Sequence, residues 1–370
     1  METARKKLLF VIHTIYGGGA ERQMQYLLKG IDRTKFEPHL AIFSTTGKEK
    51  SVVPPDVPVH LIATRLRPAS FFLIFKLARL MKALKPEQVL SFLWSVNLIT
   101  LIGARLSGVK ARIVVAERTY PELSVKRYSF SRLRELLIKI LYPAAGRIVA
   151  VSGAVAANLV EQFSVPEEKI TIIYNGADIA AIEKRKTEAA SVAPATPFLL
   201  GAGGLNATKN FPLLIRSFAR VAEKRKDLSL LIIGEGDERP ALESLVSSLG
   251  LQGRVILPGM IENPYPLIAS AEILVVSSLF EGLPNVIIEA MVCGTPVIAT
   301  KCSSGIQELI EHNETGLLVP SNEEGPLAEA IELLAGDAAL REKLAKKARA
   351  AALERHELGN MIKKYEDLLQ

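Results

Sequence analysis

The sequence predicts an α/β protein built from two parallel-sheet domains that face each other across a cleft. The chain has 370 residues, 49% hydrophobic and 23% charged, which is long enough for two domains with separate cores. Short apolar runs alternate with longer stretches of helical periodicity, which is the βαβ pattern of a parallel sheet. The alternation is interrupted near the middle of the chain by a segment rich in charged residues, alanine and proline.

In the first half of the chain, buried strands alternate with amphipathic helices. The strands are expected at Leu8–Ile12, His39–Phe43, Gln88–Phe92, Arg112–Ala116 and Arg147–Val151. The helices are expected at Glu21–Lys29, Ser70–Leu84, Val96–Leu106 and Phe130–Leu141. The basic start of the chain is followed by a short apolar run without a cleavage site, so we interpret this run as the first strand and not as a signal peptide.

The segment Ile182–Pro197 is interpreted as a linker between an N-terminal domain, residues 1–181, and a second α/β domain that begins at residue 198. Strands of the second domain are expected at Phe198–Ala202, Ser229–Ile233, Arg254–Leu257, Ile273–Ser277 and Pro296–Ala299. Its helices are expected at Phe211–Lys224, Arg239–Leu249, Val286–Met291 and Pro326–Leu334. Both domains are therefore expected to be Rossmann-like, and open sheets of this kind bind ligands outside the carboxyl ends of their strands.

The two halves of the chain differ in charge. Lysine and arginine outnumber aspartate and glutamate by 29 to 15 through Lys186, a net +14, whereas the remainder has 17 against 24, a net −7, which together give the +7 of the whole chain. The basic half indicates either an anionic partner or a solvated basic surface without a specific role. The only cysteines, Cys293 and Cys302, cannot form a disulfide framework, which indicates a reducing compartment. No apolar run is long enough to span a membrane.

A glycine-containing loop follows the first strand of each domain. In the first domain, Gly17, Gly18 and Gly19 precede a helix, where glycines allow close approach of a ligand and helix amides attract an anion. In the second domain, Lys209 precedes the next helix, where its positive charge is suited to a diphosphate. Each feature also has a structural alternative, which is a tight turn for the glycines and an ordinary surface position for the lysine.

The most specific motif is FEGLPNVIIEAM, residues 280–291, which follows a predicted strand. Glu281 lies in the turn, and Glu289 lies about one turn into the helical pattern, so the two carboxylates are placed to contact hydroxyl groups of two parts of one ligand. The segment between them begins with Gly282, Leu283, Pro284 and Asn285. Its backbone N–H groups at a helix start are suited to the anionic part of that ligand. The alternative is a solvated Glu281 and a structural Glu289.

The run EGLPNVIIEA, with its E-x7-E spacing, resembles the signature of the family 4 glycosyltransferases, which have the GT-B fold. Other segments resemble this family and occur in its order: Ile173–Asp178, Leu231–Arg239, Leu257–Gly259, Cys293–Thr300 and Gly316–Pro320. The resemblance extends over nearly the whole chain and is most specific over Gly203–Pro320. Residues 17–22 and 116–118 are most similar to those of bacterial N-acetylhexosamine transferases of glycan assembly.

The resemblance implies roles for domains and for individual residues. Residues 198–354 would bind the nucleotide-sugar donor, and the last helix, residues 355–370, would return to the N-terminal domain. Glu281 would contact the donor sugar and Glu289 the ribose hydroxyls. Lys209 would bind the diphosphate, which the glycine loop of the first domain also approaches.

The sequence departs from the family pattern at two functional positions. Gly204 stands where the family usually has arginine, so one cation for the diphosphate is missing, and Arg22 and Arg118, assigned to the acceptor side, are hypothetical replacements. Many members have a histidine where this chain has Glu117. As a catalytic residue, Glu117 would orient the acceptor hydroxyl or the donor sugar; the alternative is that it only pairs with Arg118.

The sequence contains no D-x-D pair, which is the metal clamp of the other major glycosyltransferase fold, so we expect neither a metal ion nor a cofactor. Charge on the departing nucleotide diphosphate would instead be stabilised by Lys209, arginines and helix N-termini. The resemblance implies a retaining reaction in which the sugar–phosphate bond stretches towards an oxocarbenium-like state. An oxygen of the diphosphate would accept the proton of the acceptor hydroxyl.

Two predicted helices of the basic half carry rows of cations. The first, residues 70–85, contains Lys76, Arg79, Lys82 and Lys85. The second, residues 126–139, contains Arg127, Arg132, Arg134 and Lys139. Such helices either rest on an anionic bilayer, which would suit a lipid-linked acceptor, or pack on the core with hydrated basic faces. Nucleic acid is not an expected partner, because no platform of aromatic and basic residues is present.

The family resemblance, together with these features, predicts a retaining, metal-independent glycosyltransferase of cell-envelope polysaccharide or glycan assembly. The expected donor is a UDP-N-acetylhexosamine, and the expected acceptor is a glycan or a lipid-linked glycan. We expect the enzyme in the cytoplasm, peripherally on the inner face of the plasma membrane. Two alternatives stay open: a GT-B-fold UDP-sugar epimerase, which needs no acceptor, and a non-catalytic nucleotide-sugar binder, which the missing arginine and histidine favour.

Overall fold

The chain forms two compact units, each an open parallel sheet flanked by helices. The structure is a computed structural model that describes residues 5–45, 47–62, 69–126, 130–192, 194 and 196–370. The first unit comprises residues 1–176 and 358–370, and the second comprises residues 177–357. The predicted α/β class with two parallel-sheet, Rossmann-like domains is confirmed.

The first unit contains a seven-stranded sheet in the order β3-β2-β1-β4-β5-β6-β7, in which every pair is parallel. Its strands are β1 Lys6–Ile12, β2 Phe36–Ile42, β3 Val59–Leu61, β4 Gln88–Phe92, β5 Arg112–Glu117, β6 Arg147–Ala150 and β7 Ile170–Ile172. Its helices are α1 Gly19–Gly30, α2 Ala69–Leu84, α3 Trp94–Ser107, α4 Pro121–Lys126, α5 Ser131–Leu141, α6 Gly153–Phe163 and α15 Leu358–Leu369.

The second unit contains a six-stranded parallel sheet in the order β10-β9-β8-β11-β12-β13. Its strands are β8 Phe198–Ala202, β9 Ser229–Ile233, β10 Val255–Gly259, β11 Ile273–Val276, β12 Val297–Thr300 and β13 Leu317–Val319. Its helices are α7 Ile179–Arg185, α8 Phe211–Lys224, α9 Arg239–Ser248, α10 Tyr265–Ser270, α11 Asn285–Cys293, α12 Ser304–Leu309, α13 Glu324–Gly336 and α14 Ala338–Arg355.

The C-terminal helix α15 is part of the core of the first unit. Its side chains Met361, Tyr365 and Leu369 are buried in one cluster with Phe10 of β1 and Phe92 of β4. Each large apolar side chain that is fully buried contributes about 1.5–3 kcal/mol to folding. The first unit is therefore completed by a segment far from the rest of it in the sequence.

Several short elements differ from the sequence-based expectation. The edge strands β3 and β7, each three residues long, were not predicted, because their partly exposed residues give no buried apolar run. The N-terminal segment of the first unit ends at Gly176, and α7 overlaps the start of the segment that we interpreted as a linker. Asp178 caps α7 by accepting a hydrogen bond from the backbone N–H of Ala181 at 3.0 Å. Arg127, one of the predicted basic residues, lies outside the described residues.

Candidate active site

Two loops meet at the carboxyl edge of the second sheet. One follows β8 and contains Lys209, and the other follows β11 and contains Glu281. The backbone N–H of Leu279 donates to the carbonyl oxygen of Thr208 at 2.7 Å. The hydroxyl of Ser277 donates to the carbonyl oxygen of Lys209 at 2.8 Å. These bonds join the two loops, although their residues lie far apart in the sequence.

The side chains of Lys209 and Glu281 form an ion pair between these loops. Lys209 Nζ lies 2.6 Å from Glu281 Oε1, and the two side chains are 23% and 14% exposed. The hydroxyl of Ser278 donates to the same carboxylate oxygen at 2.7 Å, and the hydroxyl of Thr300 donates to the carbonyl oxygen of Ser278 at 2.7 Å. An ammonium group and a carboxylate are thus held side by side, with part of each open to solvent.

The helix α11 begins directly after the turn that contains Glu281. The turn residues Gly282, Leu283 and Pro284 are buried, and Asn285 is the first residue of the helix. Glu289 lies on α11 and is buried, with 6% of its surface exposed. The two glutamates of the E-x7-E motif are therefore in different environments: Glu281 in a loop beside a lysine, and Glu289 within a buried helix.

The sequence analysis named Lys209 and Glu281 separately, without predicting that they form an ion pair, and it missed the hydroxyl side chains beside them. Ser277, Ser278 and Thr300 are all buried at the carboxyl ends of β11 and β12. Polar residues at the end of an apolar strand are a weak signal that was available in the sequence.

The thiol of Cys302 lies near the same carboxylate. Burial, and secondarily the negative charge of Glu281, raises the pKa of Cys302 to about 11, so this thiol is neutral at physiological pH.

The loop after β8 depends on glycine for its close packing. Gly234, after β9, has a φ of +138°, and a Cβ atom there would lie 1.9 Å from the carbonyl oxygen of Gly203. Gly203 itself packs against Lys209, since a Cβ at Gly203 would lie 2.8 Å from Lys209 Cε. The backbone at Gly234 therefore supports the segment that carries Lys209.

We expect Gly234→Ala to destabilise the second unit by at least about 3 kcal/mol, because the new methyl group overlaps a backbone oxygen at a left-handed φ. Thermal unfolding followed by circular dichroism measures the effect. The matched control is Gly336→Ala at the end of α13, where an added Cβ meets no atom within 4 Å. Equal melting temperatures for the two variants would contradict the packing described for Gly234.

The glycine loop of the first unit lies between β1 and α1. Gly17 has a φ of +115°, Gly18 is the N-cap residue of α1, and Gly19 is its first residue. A Cβ at Gly18 would lie 2.2 Å from Glu21 Oε2, so the carboxylate of Glu21 folds back over the start of the helix. Burial raises the pKa of Glu21. An anion at these glycines would have to share the helix start with this carboxylate, which the sequence-based prediction did not consider.

Glu117 ends β5 and is completely buried. Its Oε1 accepts hydrogen bonds from Asn97 Nδ2 at 2.8 Å and from the Tyr142 hydroxyl. Its Oε2 has no hydrogen-bond partner among the described residues. Burial raises the pKa of Glu117 to about 7, although the hydrogen bonds from Tyr142 and Asn97 act in the opposite direction.

Arg118 has different partners from those of Glu117. Its guanidinium group donates to the Tyr365 hydroxyl at 3.1 Å and to Asn175 Oδ1, and it lies over the ring of Phe92 at 4.8 Å from the ring centre. Only 6% of its surface is exposed. Glu117 and Arg118 therefore bind different partners and do not pair with each other, as the alternative interpretation had it. Arg118 connects α15 to the sheet of the first unit.

We expect Glu117→Gln to change the dependence of stability on pH. Because burial raises the folded-state pKa from 4.5 to about 7, the folded protein keeps a proton on Glu117 at pH values where the unfolded chain releases it. This contribution to stability is fully present below pH 4.5 and is lost as the pH rises through about 7. Glutamine does not titrate, so the Glu117→Gln variant does not lose this stability. The difference between its melting temperature and that of wild type should therefore increase by about 5 °C from pH 5 to pH 8.

Scanning calorimetry at the two pH values measures this difference. Glu161→Gln, at an exposed position on α6, is the control and should show no such change. A Glu117→Gln variant whose melting temperature differs from wild type by the same amount at both pH values would contradict a buried, neutral carboxyl group.

Neither a metal-binding cluster nor a membrane-spanning helix occurs among the described residues. No group of three or more histidine, cysteine, aspartate or glutamate side chains is arranged to hold a metal ion in the part of the chain that the structure describes. None of the helices within those residues is both long and apolar enough to cross a membrane.

Comparison with known proteins identifies the family. The model for Glycosyltransferase Family 4 matches residues 17–181, and the model for Glycosyl transferases group 1 matches residues 183–351. A Campylobacter jejuni protein is 33% identical over an alignment of 372 positions, which covers 97% of this chain and 99% of the relative. The chain belongs to the family 4 glycosyltransferases. Its relative is named N-acetylgalactosamine-N,N'-diacetylbacillosaminyl-diphospho-undecaprenol 4-alpha-N-acetylgalactosaminyltransferase.

Solved structures show that this glycosyltransferase has the GT-B fold. Anabaena HepE in complex with UDP and glucose superposes with a TM-score of 0.84 at 22% identity, covering 99% of both chains. WaaG, a glycosyltransferase involved in lipopolysaccharide biosynthesis, superposes with a TM-score of 0.79 at 15% identity, covering 98% of this chain and 99% of WaaG. The fold and family expected from the E-x7-E motif and the segments around it are thus confirmed.

Proposed function

We propose that this glycosyltransferase transfers an N-acetylhexosamine from a UDP-linked donor to a lipid-linked glycan, with retention of the anomeric configuration. The C. jejuni relative is named as an N-acetylgalactosaminyltransferase whose acceptor is attached to diphospho-undecaprenol. A second C. jejuni protein, 26% identical over 361 residues, is named as an alpha-1,4-N-acetyl-D-galactosaminyltransferase acting on a PP-undecaprenol-linked glycan. The net charge of +14 through Lys186 suits an acceptor that carries a diphosphate.

The ion pair between Lys209 and Glu281 is the observation that carries the proposal for the donor site. An ammonium group has three N–H donors, so Lys209 can keep its contact with Glu281 at 2.6 Å and also bind an oxygen of the donor diphosphate. Glu281 then lies beside the diphosphate, where a carboxylate can accept hydrogen bonds from hydroxyl groups of the transferred sugar. Glu289 is proposed to bind the ribose hydroxyls.

The proposed reaction depends on stabilising the leaving group. As the bond between the anomeric carbon and the phosphate oxygen breaks, negative charge develops on UDP, and the sugar becomes oxocarbenium-like. Lys209 and the N–H groups at the start of α11 would stabilise this charge without a metal ion. The acceptor oxygen attacks the anomeric carbon from the side of the leaving UDP, and a diphosphate oxygen takes the acceptor proton, so retention and proton balance are both satisfied.

The first unit is proposed to supply the acceptor side. Glu117 is fully buried with one carboxylate oxygen held by Asn97 and Tyr142, so we assign it a positioning role at the end of β5. Arg22 and Arg118 stay proposals as acceptor-binding residues, and Gly17–Gly19 as a loop that approaches the donor diphosphate. With an acceptor on a lipid diphosphate, the enzyme would work at the cytoplasmic surface of the plasma membrane.

The test is an assay of purified protein with a panel of nucleotide sugars and a polyprenyl-diphosphate-linked N-acetylhexosamine acceptor. We expect transfer from UDP-N-acetylgalactosamine or UDP-N-acetylglucosamine, unchanged by EDTA, to give an α-linked product by NMR. Transfer only from GDP- or ADP-sugars, loss of activity in EDTA, or a β-linked product would each overturn the corresponding part of the proposal. Epimerised UDP-sugar without a new glycosidic bond would overturn transfer itself.

A further inference from the structure

The outer face of helix α5 in the first unit is apolar. Leu133, Leu136 and Ile140 are 55%, 51% and 61% exposed, and their spacing of three and four residues places them in one stripe along the helix. Phe130, immediately before the helix, is also exposed. An amphipathic helix normally directs such a stripe into the core, so its exposure is a feature of interaction surfaces.

The opposite face of α5 accounts for its orientation. Ile138 is completely buried, and the guanidinium group of Arg134 lies over the ring of Trp94 on α3, at 5.6 Å from the ring centre. The inner face is therefore already occupied by contacts with α3. The outward position of the stripe is fixed by this packing and does not depend on the side chains of the stripe itself.

Helix α2 adds exposed aromatic rings to the same helical layer. Phe71 and Phe75 are exposed and in contact, with ring centres 4.7 Å apart, whereas Leu77 is buried and faces Gly103 of α3. The strands β4, β5 and β6 are neighbours in the sheet, and α2, α3 and α5 each precede one of them. Right-handed crossovers in one direction place all three helices on one side of that sheet.

The two helices that carry these apolar side chains also carry exposed cations. They are Lys76, Arg79 and Lys82 on α2, and Arg132 and Lys139 on α5. The only carboxylate in the two helices, Glu135, is partly buried. Apolar side chains flanked by cations fit an anionic bilayer, whose headgroups bind the cations while the acyl region accepts the apolar groups. A symmetric contact with a second copy would bring these cations towards one another.

We propose that the outer side of α2 and α5, with Phe71, Phe75, Phe130, Leu133, Leu136 and Ile140 as the inserting side chains, docks on an anionic phospholipid bilayer. This proposal rests on the proposed function for its purpose, which is to bring the enzyme to a lipid-linked acceptor. The apolar side chains carry most of the binding, and the cations make it selective for anionic lipid.

Flotation of the full chain with phosphatidylcholine vesicles, with and without phosphatidylglycerol, tests the proposal. We expect strong binding only to vesicles that contain phosphatidylglycerol. The triple variant Leu133→Gln/Leu136→Gln/Ile140→Gln should bind at least about 30-fold more weakly, equivalent to ~2 kcal/mol. The variant Arg132→Gln/Lys139→Gln should bind about 10-fold more weakly at low salt, with a smaller difference at high salt. Leu333→Gln, at a 51% exposed position on α13 of the second unit, is the matched control.

Wild-type binding by the triple variant would overturn the proposal, as would absence of binding by the wild type. A lipid-free dimer that the triple variant dissociates would assign the surface to a second copy. Hydrolysis of the UDP-sugar donor without vesicles separates this proposal from the proposed function. Donor hydrolysis without vesicle binding refutes the docking surface alone, whereas vesicle binding without turnover of any nucleotide sugar refutes the proposed function alone.

Discussion

Alanine in place of Lys209 is expected to reduce kcat/KM for sugar transfer by about 10²–10³-fold. Lys209 Nζ lies 2.6 Å from Glu281 Oε1 at the carboxyl edge of the second sheet, where the donor diphosphate is proposed to bind. The substitution removes the positive charge that would stabilise the leaving UDP. Both side chains of the ion pair are partly exposed, so its loss should cost only about 1 kcal/mol of stability.

Steady-state kinetics and thermal unfolding of the same preparation distinguish these effects. Lys224→Ala is the matched control, because Lys224 Nζ also forms an ion pair, 2.8 Å from Glu332 Oε2, on the surface of the same unit. It should keep wild-type activity. Near-normal turnover by Lys209→Ala would refute the assignment of the diphosphate site, and an equal loss in both variants would mean that the effect is not specific to this lysine.

Alanine in place of Glu281 is expected to reduce kcat/KM by about 10²-fold or more. The affected part of the donor would be the transferred sugar and not the diphosphate. Glu281 Oε1 accepts hydrogen bonds from Lys209 and from Ser278, at 2.6 and 2.7 Å, which fixes the carboxylate beside the proposed diphosphate position. If this carboxylate contacts the transferred sugar, its loss weakens binding of the UDP-sugar and of the transition state but leaves binding of UDP. Glu281→Gln keeps one carbonyl acceptor, so its kcat/KM should lie between those of Glu281→Ala and the wild type.

Calorimetric titration with UDP and with the UDP-sugar measures this difference directly. We expect UDP to bind to Glu281→Ala with an affinity within about threefold of wild type, a change below 1 kcal/mol, while the affinity for the UDP-sugar falls. Glu332→Ala, which removes the carboxylate of the surface pair with Lys224, should alter neither. Parallel losses for UDP and UDP-sugar would place Glu281 at the nucleotide and contradict its assignment to the sugar.

The strands that the sequence predicted most closely are those buried on both faces. Phe198–Ala202 and Ser229–Ile233 were predicted with the bounds that the structure has, because nearly every residue in them is buried and apolar. The edge strands β3 and β7 have one side open to solvent, so their composition resembles that of a loop. A short helix such as α7 contains too few turns to establish a period.

The candidate site was only partly predictable for a related reason. Position before a helix drew attention to Lys209, and spacing within one motif drew attention to Glu281 and Glu289. The family resemblance then suggested the role of each residue. The contact of Lys209 with Glu281 depends on two hydrogen bonds between their loops, donated by the backbone N–H of Leu279 and by the hydroxyl of Ser277. Neither bond leaves a pattern in the sequence.

By itself, the sequence determined the fold class, the family and the residue types at the proposed donor site. These follow from the alternation of apolar runs and from short-range motifs, which are local properties of the chain. Only the tertiary structure decided which distant groups meet: Lys209 with Glu281, Arg118 with Tyr365, and Glu117 with Tyr142 in a site that raises the carboxyl pKa. Long-range contacts and burial depend on how strands and helices pack, and no local pattern encodes either one.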